Sequence, residues 1–385
     1  MAPSLRLLEL IVSTDLGGGP AQVHELVARL PREEFVVTVA GPPGGAYGSI
    51  FTESGARFVG IGTNRLARRP FLDVLRLIRQ DSIDLVHSHG KGAGVYGRLA
   101  ARVARVPAVH TFHGIHYSDY PAGLGRAYLA VERRLARLTK AIVHVSESQA
   151  REAAALGLAP PSSTHVIVNG VDAARIAASS RPRGEARRAL GLNSEALVLG
   201  TVARFDPVKA LDALLRAFAL AAAAEPTAHL VIIGDGSERS RLHALAGSLG
   251  IEDRVRFPGV IAEASRLLSA VDLYVSASRK EGLPLAILEA MASGLPVAAT
   301  RAPGHVDVVE EGVTGLLVTP DDHRALGQAM SDLLAEPGVR AAMGQAGRRR
   351  VEERFSASRM AAETADLYRV TVDRFAAGGA LRRSV

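Results

Sequence analysis

The sequence predicts an α/β protein of two domains, each a parallel sheet covered by helices on both faces. Three observations carry this expectation. The chain has 385 residues, about twice a common domain length and enough to bury two cores. Short runs rich in Val, Ile and Leu alternate with helical patterns throughout, as they do where strands are buried on both faces. The alternation lapses once, at "DAARIAASSRPRGEA" (172–186), which reads as a connector.

In chain order, the first half predicts strands over Arg6–Val12, Phe35–Val39, Arg57–Gly60, Asp84–His87, Ala108–Phe112 and Ala141–Val145. Helical periodicity lies between them, as at Ala21–Leu30 and Phe71–Gln80. The second series predicts strands over Ala196–Val202, Ala228–Ile233, Val255–Phe257, Leu273–Ser276, Val297–Ala299 and Leu316–Val318. Beyond "PDDHRALGQAMSDLLAEP" the pattern is helical almost to the end. The expected domains are residues 1–171 and 187–355, both Rossmann-like, with a separate C-terminal segment at 356–385. Ligands of such folds sit at the carboxyl ends of strands, so a cleft between the domains is the default site. Polar clusters fall at several of those ends: "VHSHG" (His87, His89), "HTFHG" (His110, His113), "VSES" (Ser146, Ser148), "ARFDPVK" and "IGDG".

Composition narrows the function. Hydrophobic residues make up 48% and charged residues 22%, as in ordinary globular proteins. The absence of cysteine excludes disulfides, thiolate metal sites and cysteine nucleophiles, and fits a cytoplasmic setting. Arg6 and Glu9 interrupt the apolar run of "MAPSLRLLELIVSTD", so it reads as a first strand and not as a signal peptide. No apolar stretch approaches the ~20 residues needed to span a bilayer. The net charge is +7, and residues 1–170 hold a surplus of six of those charges. The first half therefore has either a basic solvated surface or a face for an anionic partner, such as the inner face of a membrane. Nucleic acid is disfavoured, because aromatics are only 4% and no stacking run or basic repeat occurs.

Four motifs carry chemistry. "LGGGPAQVHEL" puts Gly17, Gly18 and Gly19 between the first strand and helix, where backbone can approach an anion at a helix N-terminus. A tight structural turn would use the same residues, and the dinucleotide fingerprint G-x-G-x-x-G is absent. Arg204 and Lys209 follow the first strand of the second half. There they are either solvated or a clamp for a phosphate whose charge grows as it leaves. "VIIGDGSERSRL" adds a Gly-Asp-Gly turn (Gly234, Gly236) ahead of a helix. In "EGLPLAILEAMASGLPVAAT" (281–300), Pro284 enters a helix whose free first-turn amides form an anion site. Glu281 lies on the approach and Glu289 stands inside an otherwise apolar helix, either to accept from sugar hydroxyls or as a paired core carboxylate.

With Glu281-x(7)-Glu289, "ARFDPVK", "GDG", "NGVD" (Asn169–Asp172) and "LGGGP" in this order, the chain resembles family four of the nucleotide-sugar glycosyltransferases. These are retaining enzymes of the GT-B fold. The resemblance runs over nearly the whole length, and "HTFHGIHYSDYPAGLGRAYLAVERRLARLTKAIVHVSES" is similar to members that build bacterial surface polysaccharides on a lipid carrier. It implies that Arg204 and Lys209 bind the donor diphosphate, that Glu281 contacts the transferred sugar, and that Glu289 contacts the ribose. It also implies that His113 stands near the sugar 6-hydroxyl, and that the backbone of Gly282, Leu283, Pro284 and Leu285 approaches sugar or phosphate, with N–H donors from all but the proline. Gly17–Gly19, Asn169, Gly234 and Gly236 fall on the substrate side by the same carry-over. In the family the leaving phosphate is thought to deprotonate the acceptor, so no residue is assigned as general base. The last helices, about 356–376, would cross back onto the first domain, and closure of the domains would exclude water.

Two departures are visible: Ala203 and Ala210 stand where the family often has glycine. D-x-D is absent, which suits transfer with no cofactor and no metal. The expected function is transfer of a hexose, from UDP in preference to GDP, to a glycan or lipid-linked hydroxyl acceptor. "RRLARLTK" (133–140) and "NRLARR" (64–69) would face anionic lipid, and the loops at 41–50, 61–70 and 114–122 would choose the acceptor. The alternatives are a nucleotide-sugar epimerase of the same fold and a catalytically silent membrane-associated homologue.

Overall fold

A computed structural model of the protein describes residues 4–65, 67–115, 122–158 and 160–381; most of the 114–122 loop and Leu66 of "NRLARR" lie outside them. The chain forms two compact units, Met1–Asn169 with Ala357–Val385, and Gly170–Ser356.

Unit one alternates β1 (Leu5–Ile11), α1 (Gly18–Val27), β2 (Phe35–Gly41), α2 (Tyr47–Glu53), β3 (Arg57–Gly60), α3 (Arg68–Gln80), β4 (Leu85–His89), α4 (Lys91–Ala104), β5 (Ala108–Phe112), α5 (Ala122–Ala136), β6 (Ala141–His144), α6 (Glu147–Ala155) and β7 (Thr164–Val166). Its parallel sheet has the order β3-β2-β1-β4-β5-β6-β7. The order reverses between β1 and β4, so the loops after these two strands part and leave a crevice at the strand ends. The glycines follow β1 and the first histidine pair ends β4. The short edge strand β7 has no counterpart in the sequence reading, because three half-buried residues give no periodic signal. Helix α1 starts three residues before the expected Ala21, so Gly18 and Gly19 form its first turn.

Unit two comprises α7 (Ala173–Ser179), α8 (Arg183–Ala189), β8 (Leu197–Val202), α9 (Leu211–Ala224), β9 (Ala228–Ile233), α10 (Arg239–Ser248), β10 (Val255–Gly259), β11 (Leu273–Ser276), α11 (Leu285–Ala292), β12 (Val297–Thr300), α12 (His305–Val308), β13 (Gly315–Val318), α13 (His323–Ala335) and α14 (Pro337–Arg354). The parallel order is β10-β9-β8-β11-β12-β13. Helix α9 places Leu211, Leu214, Leu215, Phe218, Ala221 and Ala222 at helical spacing in the core. The expected connector at 172–186 is instead two short helices of this unit. Asp172 caps α7 by accepting from the Arg175 amide at 2.9 Å, and Arg183 and Arg187 tie α8 to Asp272 at 2.6 and 3.0 Å. Each helix buries too few apolar residues to show a period, which is why it reads as irregular.

The last helix, α15 (Ala357–Leu381), belongs to unit one. Its Met360, Ala361, Ala365 and Tyr368 complete a core with Leu7, Leu26, Phe35, Leu85, Val109 and Val143. No helix among the described residues is long and apolar enough to cross a membrane.

Beneath α4 and α5 the guanidinium of Arg98 is fully buried and donates to Glu132 Oε2 at 2.7 Å and to the Gly94 carbonyl at 2.7 Å. Removing one partner of such a pair strands a charge in the core. Arg98→Ala is therefore expected to lower the unfolding free energy by about 3–5 kcal/mol. The apolar double variant Arg98→Met/Glu132→Leu should recover most of that loss, and urea unfolding of the three proteins measures both effects.

Candidate active site

In unit two the loop after β8 is shaped by the glycines after β9. Ala203 and Phe205 donate their amides to the Ile233 and Asp235 carbonyls at 3.0 and 2.8 Å. Gly234 and Gly236 have φ of +143° and +157°, and a Cβ would lie 1.9 Å from the Ala203 carbonyl oxygen and 2.7 Å from that of Phe205. The Gly-Asp-Gly turn is thus glycine because backbone lies against it, and what it holds in place is the loop bearing Arg204. Arg204 itself is exposed and pairs with Asp206 at 3.0 Å.

The next turn, Pro207–Lys209, brings the Lys209 Nζ to 2.7 Å from Glu281 Oε1. It ends on Ala210 at φ 47° and ψ 42°, a left-handed conformation that costs a residue with a Cβ about 1–2 kcal/mol. Arg279 secures the turn, donating its amide to the Val208 carbonyl at 2.9 Å and its guanidinium to the Pro207 carbonyl at 2.5 Å. Sequence reasoning passed over Arg279, because nothing local distinguishes it from a solvated arginine.

Glu281 is held from behind. Its amide donates to the Pro303 carbonyl at 3.1 Å, and Gly304, at φ +83°, packs so that a Cβ there would lie 2.9 Å from the Glu281 Cβ. Burial pushes its carboxyl pKa up, but Lys209, His305 and a bond from Ser278 together bring it below the ordinary value. His305, fully buried, donates Nδ1–H to the Thr300 carbonyl at 2.8 Å, and its Nε2 stands 3.2 Å from the Ser276 hydroxyl. Its pKa is lowered, mainly by burial. Gly282, Leu283 and Pro284 are buried, and α11 opens at Leu285; the Ile287 amide already donates to the Pro284 carbonyl at 3.1 Å, which leaves the Leu285 and Ala286 amides without an intrahelical acceptor. Glu289 is half-buried on that helix. The buried Tyr274 reports both acids: its pKa is raised first by burial, then by Glu289 and Glu281. Lys209, Glu281, Glu289 and the start of α11 thus converge near the carboxyl ends of β8 and β11.

Unit one has its own polar centre. Gly17 caps α1 with an extended φ of 168°, and nothing lies within 4 Å of a Cβ built at Gly17 or Gly19. Neither backbone strain nor packing requires glycine at these two positions. His113 follows β5 and is half-buried, with its Nε2 3.0 Å from His89 Nδ1. Burial first, and His89 second, lower its pKa to about 3. His89 Nε2 lies 2.7 Å from Glu9 Oε2. Glu9, His87 and His89 are all buried and close enough together to hold a cation. Asn169 is buried, and its Oδ1 has no partner among the described residues.

Residues 16–175 match the profile of Glycosyltransferase Family 4, and residues 182–350 that of Glycosyl transferases group 1. A D-inositol 3-phosphate glycosyltransferase of Thermobispora bispora is 34% identical over 310 residues, 76% of this chain and 71% of its own. The glycosyltransferase EpsD of Bacillus subtilis, itself named as putative, is 30% identical over 295 residues, 75% and 77% of the two chains. Anabaena HepE in complex with UDP-glucose matches with a TM-score of 0.85 at 24% identity, over 95% of this chain and 100% of HepE. The apo lipopolysaccharide outer core galactosyltransferase WaaB matches with a TM-score of 0.67 at 16% identity, over 95% of this chain and 100% of its own. The fold is therefore GT-B.

The neutral histidines make stability depend on pH. Burial holds His87, His110 and His113 below the unfolded value of 6.5. Between the folded and unfolded values the unfolded chain binds more protons, so this stability is complete above about pH 6.5 and lost as pH falls toward the folded value. Glu281, a depressed carboxylate, adds its own loss only below about pH 4.5. The urea midpoint is expected to fall between pH 7.5 and pH 5, with a shallower slope in His113→Asn. A flat profile would contradict neutral burial.

Proposed function

The chain belongs to glycosyltransferase family four, and on that premise we propose that it moves a hexose from a UDP-sugar to a hydroxyl acceptor with retention of configuration. The observation that carries this reading is the Lys209–Glu281 contact at 2.7 Å beside the first turn of α11. It supports Lys209 as the cation for the diphosphate and Glu281 as the carboxylate for sugar hydroxyls, both preset before a donor arrives. Arg204 adds a guanidinium once it leaves Asp206, and Glu289 accepts from the ribose diol. In the transfer the bond from C1 of the sugar to the diphosphate breaks. The acceptor oxygen bonds to C1 from the same face, and its proton passes to a diphosphate oxygen. No side chain serves as general base, and no metal is assigned a step. That HepE was crystallised with UDP-glucose supports UDP over GDP and glucose as the first sugar to test.

The acceptor is proposed to be a lipid-linked or glycan intermediate of surface polysaccharide synthesis, a choice supported by the likeness to WaaB. The D-inositol 3-phosphate relatives favour a second reading, a phosphorylated polyol acceptor. The surplus of positive charge in the first half suits either. For an anionic membrane the exposed groups of α5 are Leu124 and Val131 with Arg126 and Arg134, and Arg137 follows just beyond it. Arg133 is otherwise engaged, donating to the Leu156 carbonyl at 3.0 and 2.8 Å, and Lys140 lies over the Phe375 ring.

Lys209→Ala and Arg204→Ala should each remove about 1.5–3 kcal/mol of charge-assisted bonding. UDP release from UDP-glucose should then fall by roughly one to two orders of magnitude, whereas unchanged rates would reject the diphosphate role. A thermal shift on adding UDP, absent with free glucose, is expected of the wild type. Binding to vesicles containing anionic lipid should weaken as salt rises, and equal binding to neutral vesicles would reject the electrostatic contact.

A further inference from the structure

Glu9 lies in the middle of β1, fully buried, with Val39 and His87 as its neighbours across the sheet. A carboxylate there is tolerable only if donors replace its water. Two do so: Tyr368 of α15 donates its hydroxyl to Oε1 at 2.6 Å, and His89 Nε2 meets Oε2 at 2.7 Å. Beyond these the chain continues in both directions. His87 Nδ1 lies 2.5 Å from the Tyr368 oxygen, and its Nε2 lies 2.7 Å from the Thr111 hydroxyl. On the other branch His89 Nδ1 lies 3.0 Å from His113 Nε2, and the two rings stack with centroids 5.2 Å apart.

With Glu9 ionised and the three rings neutral, a single proton assignment satisfies every one of these contacts. Tyr368 spends its proton on Glu9, so its oxygen accepts from His87 Nδ1–H, and His87 Nε2 accepts from Thr111. His89 spends its proton on Glu9, so its Nδ1 accepts from His113 Nε2–H. Every proton in the chain points toward Glu9. His113, a half-buried residue, is thereby left with a bare Nδ1.

We propose that Glu9 is a positioning residue: acting through His89, it fixes His113 as a hydrogen-bond acceptor at Nδ1, able to accept a hydrogen bond from a substrate hydroxyl but not to donate one. The proposal rests on the reading that His113 contacts the substrate. A ring free to choose its tautomer would spend part of its time presenting N–H instead, and a ring without the stack on His89 could also turn. The specificity that follows is for a donor-capable group at that point of the substrate, a hydroxyl and not an ether or carbonyl.

The test uses full-length protein labelled with 15N-histidine, read by NMR, together with UDP release from UDP-glucose. In the wild type His89 and His113 should both carry their single proton on Nε2. A proton on His113 Nδ1, or a doubly protonated His89, overturns the proposal. In Glu9→Gln, His113 should lose its single tautomer and kcat should fall about tenfold, roughly one substrate hydrogen bond, while KM for UDP-glucose changes less than about twofold. An unchanged tautomer in this variant overturns the proposal. Tyr368→Phe keeps the Glu9–His89 contact, so it should keep the His113 tautomer and stay within about threefold of wild-type kcat. An equal loss in Tyr368→Phe would mean that α15 packing, and not positioning, is responsible. His113→Ala separates the two levels: normal turnover there removes the substrate contact of His113, whatever the Glu9 result. Stoichiometric zinc or manganese retained by the wild type and lost in Glu9→Gln would also overturn the proposal, since a cation would displace those protons.

Discussion

Desolvation of a carboxylate is the constraint around which both units are arranged. Glu9 in the first sheet is fully buried and Glu281, past the carboxyl end of β11 in the second, is largely so, and each must recover its lost hydration from fixed donors. Glu9 does so with the Tyr368 phenol and the His89 imidazole. Glu281 does so with the Lys209 ammonium and the field of His305 behind it. The outcomes differ accordingly: Glu9 organises a chain of protons, and Glu281 holds a cation in place. Neither arrangement is possible without elements far away in sequence, so the acids also tie the fold together.

In unit two the supporting structure is mostly backbone. Gly234 and Gly236 let the β9 loop lie against the loop that carries Arg204, and Gly304 does the same for Glu281. Arg279 pins the turn before Lys209 by its carbonyls. A cation held this way needs little reorganisation when charge develops on a leaving phosphate, which is where preset electrostatics act most strongly. The left-handed Ala210 shows that the chain tolerates local strain to keep that turn.

Much of this was legible from the residues alone. Strands of four or more Val, Ile and Leu-rich positions declared themselves, and so did the helix entry at Pro284, because both depend on neighbours in sequence. The short β7 and the helices α7 and α8 did not, since each buries too little to leave a period. The site divided in the same way. Lys209 and Glu281 stood out as charges beside apolar elements, whereas Arg279, His305, Glu9 and Tyr368 acquire meaning only through long-range contacts. One signal served only to set aside a signal peptide and not to mark a site: Glu9 interrupts an apolar strand just as Glu289 interrupts an apolar helix. His87 and His89, two apart on a strand, necessarily share the face on which Glu9 lies.

The descent of α15 onto the first sheet has a consequence for biosynthesis. Residues 170–356 separate the two stretches that make up unit one. At about 5–20 residues per second, the ribosome needs roughly 10–40 s to add that insert, and unit two can be complete before unit one is. Throughout that interval the face carrying Leu7, Phe35, Val109 and Val143 waits uncovered, with the Glu9 carboxylate short of its phenol donor. The nascent polypeptide therefore presents a sticky, half-finished sheet to its surroundings until α15 emerges. Stop codons or nicks anywhere ahead of Met360 would leave that sheet permanently unsealed and a target for quality control.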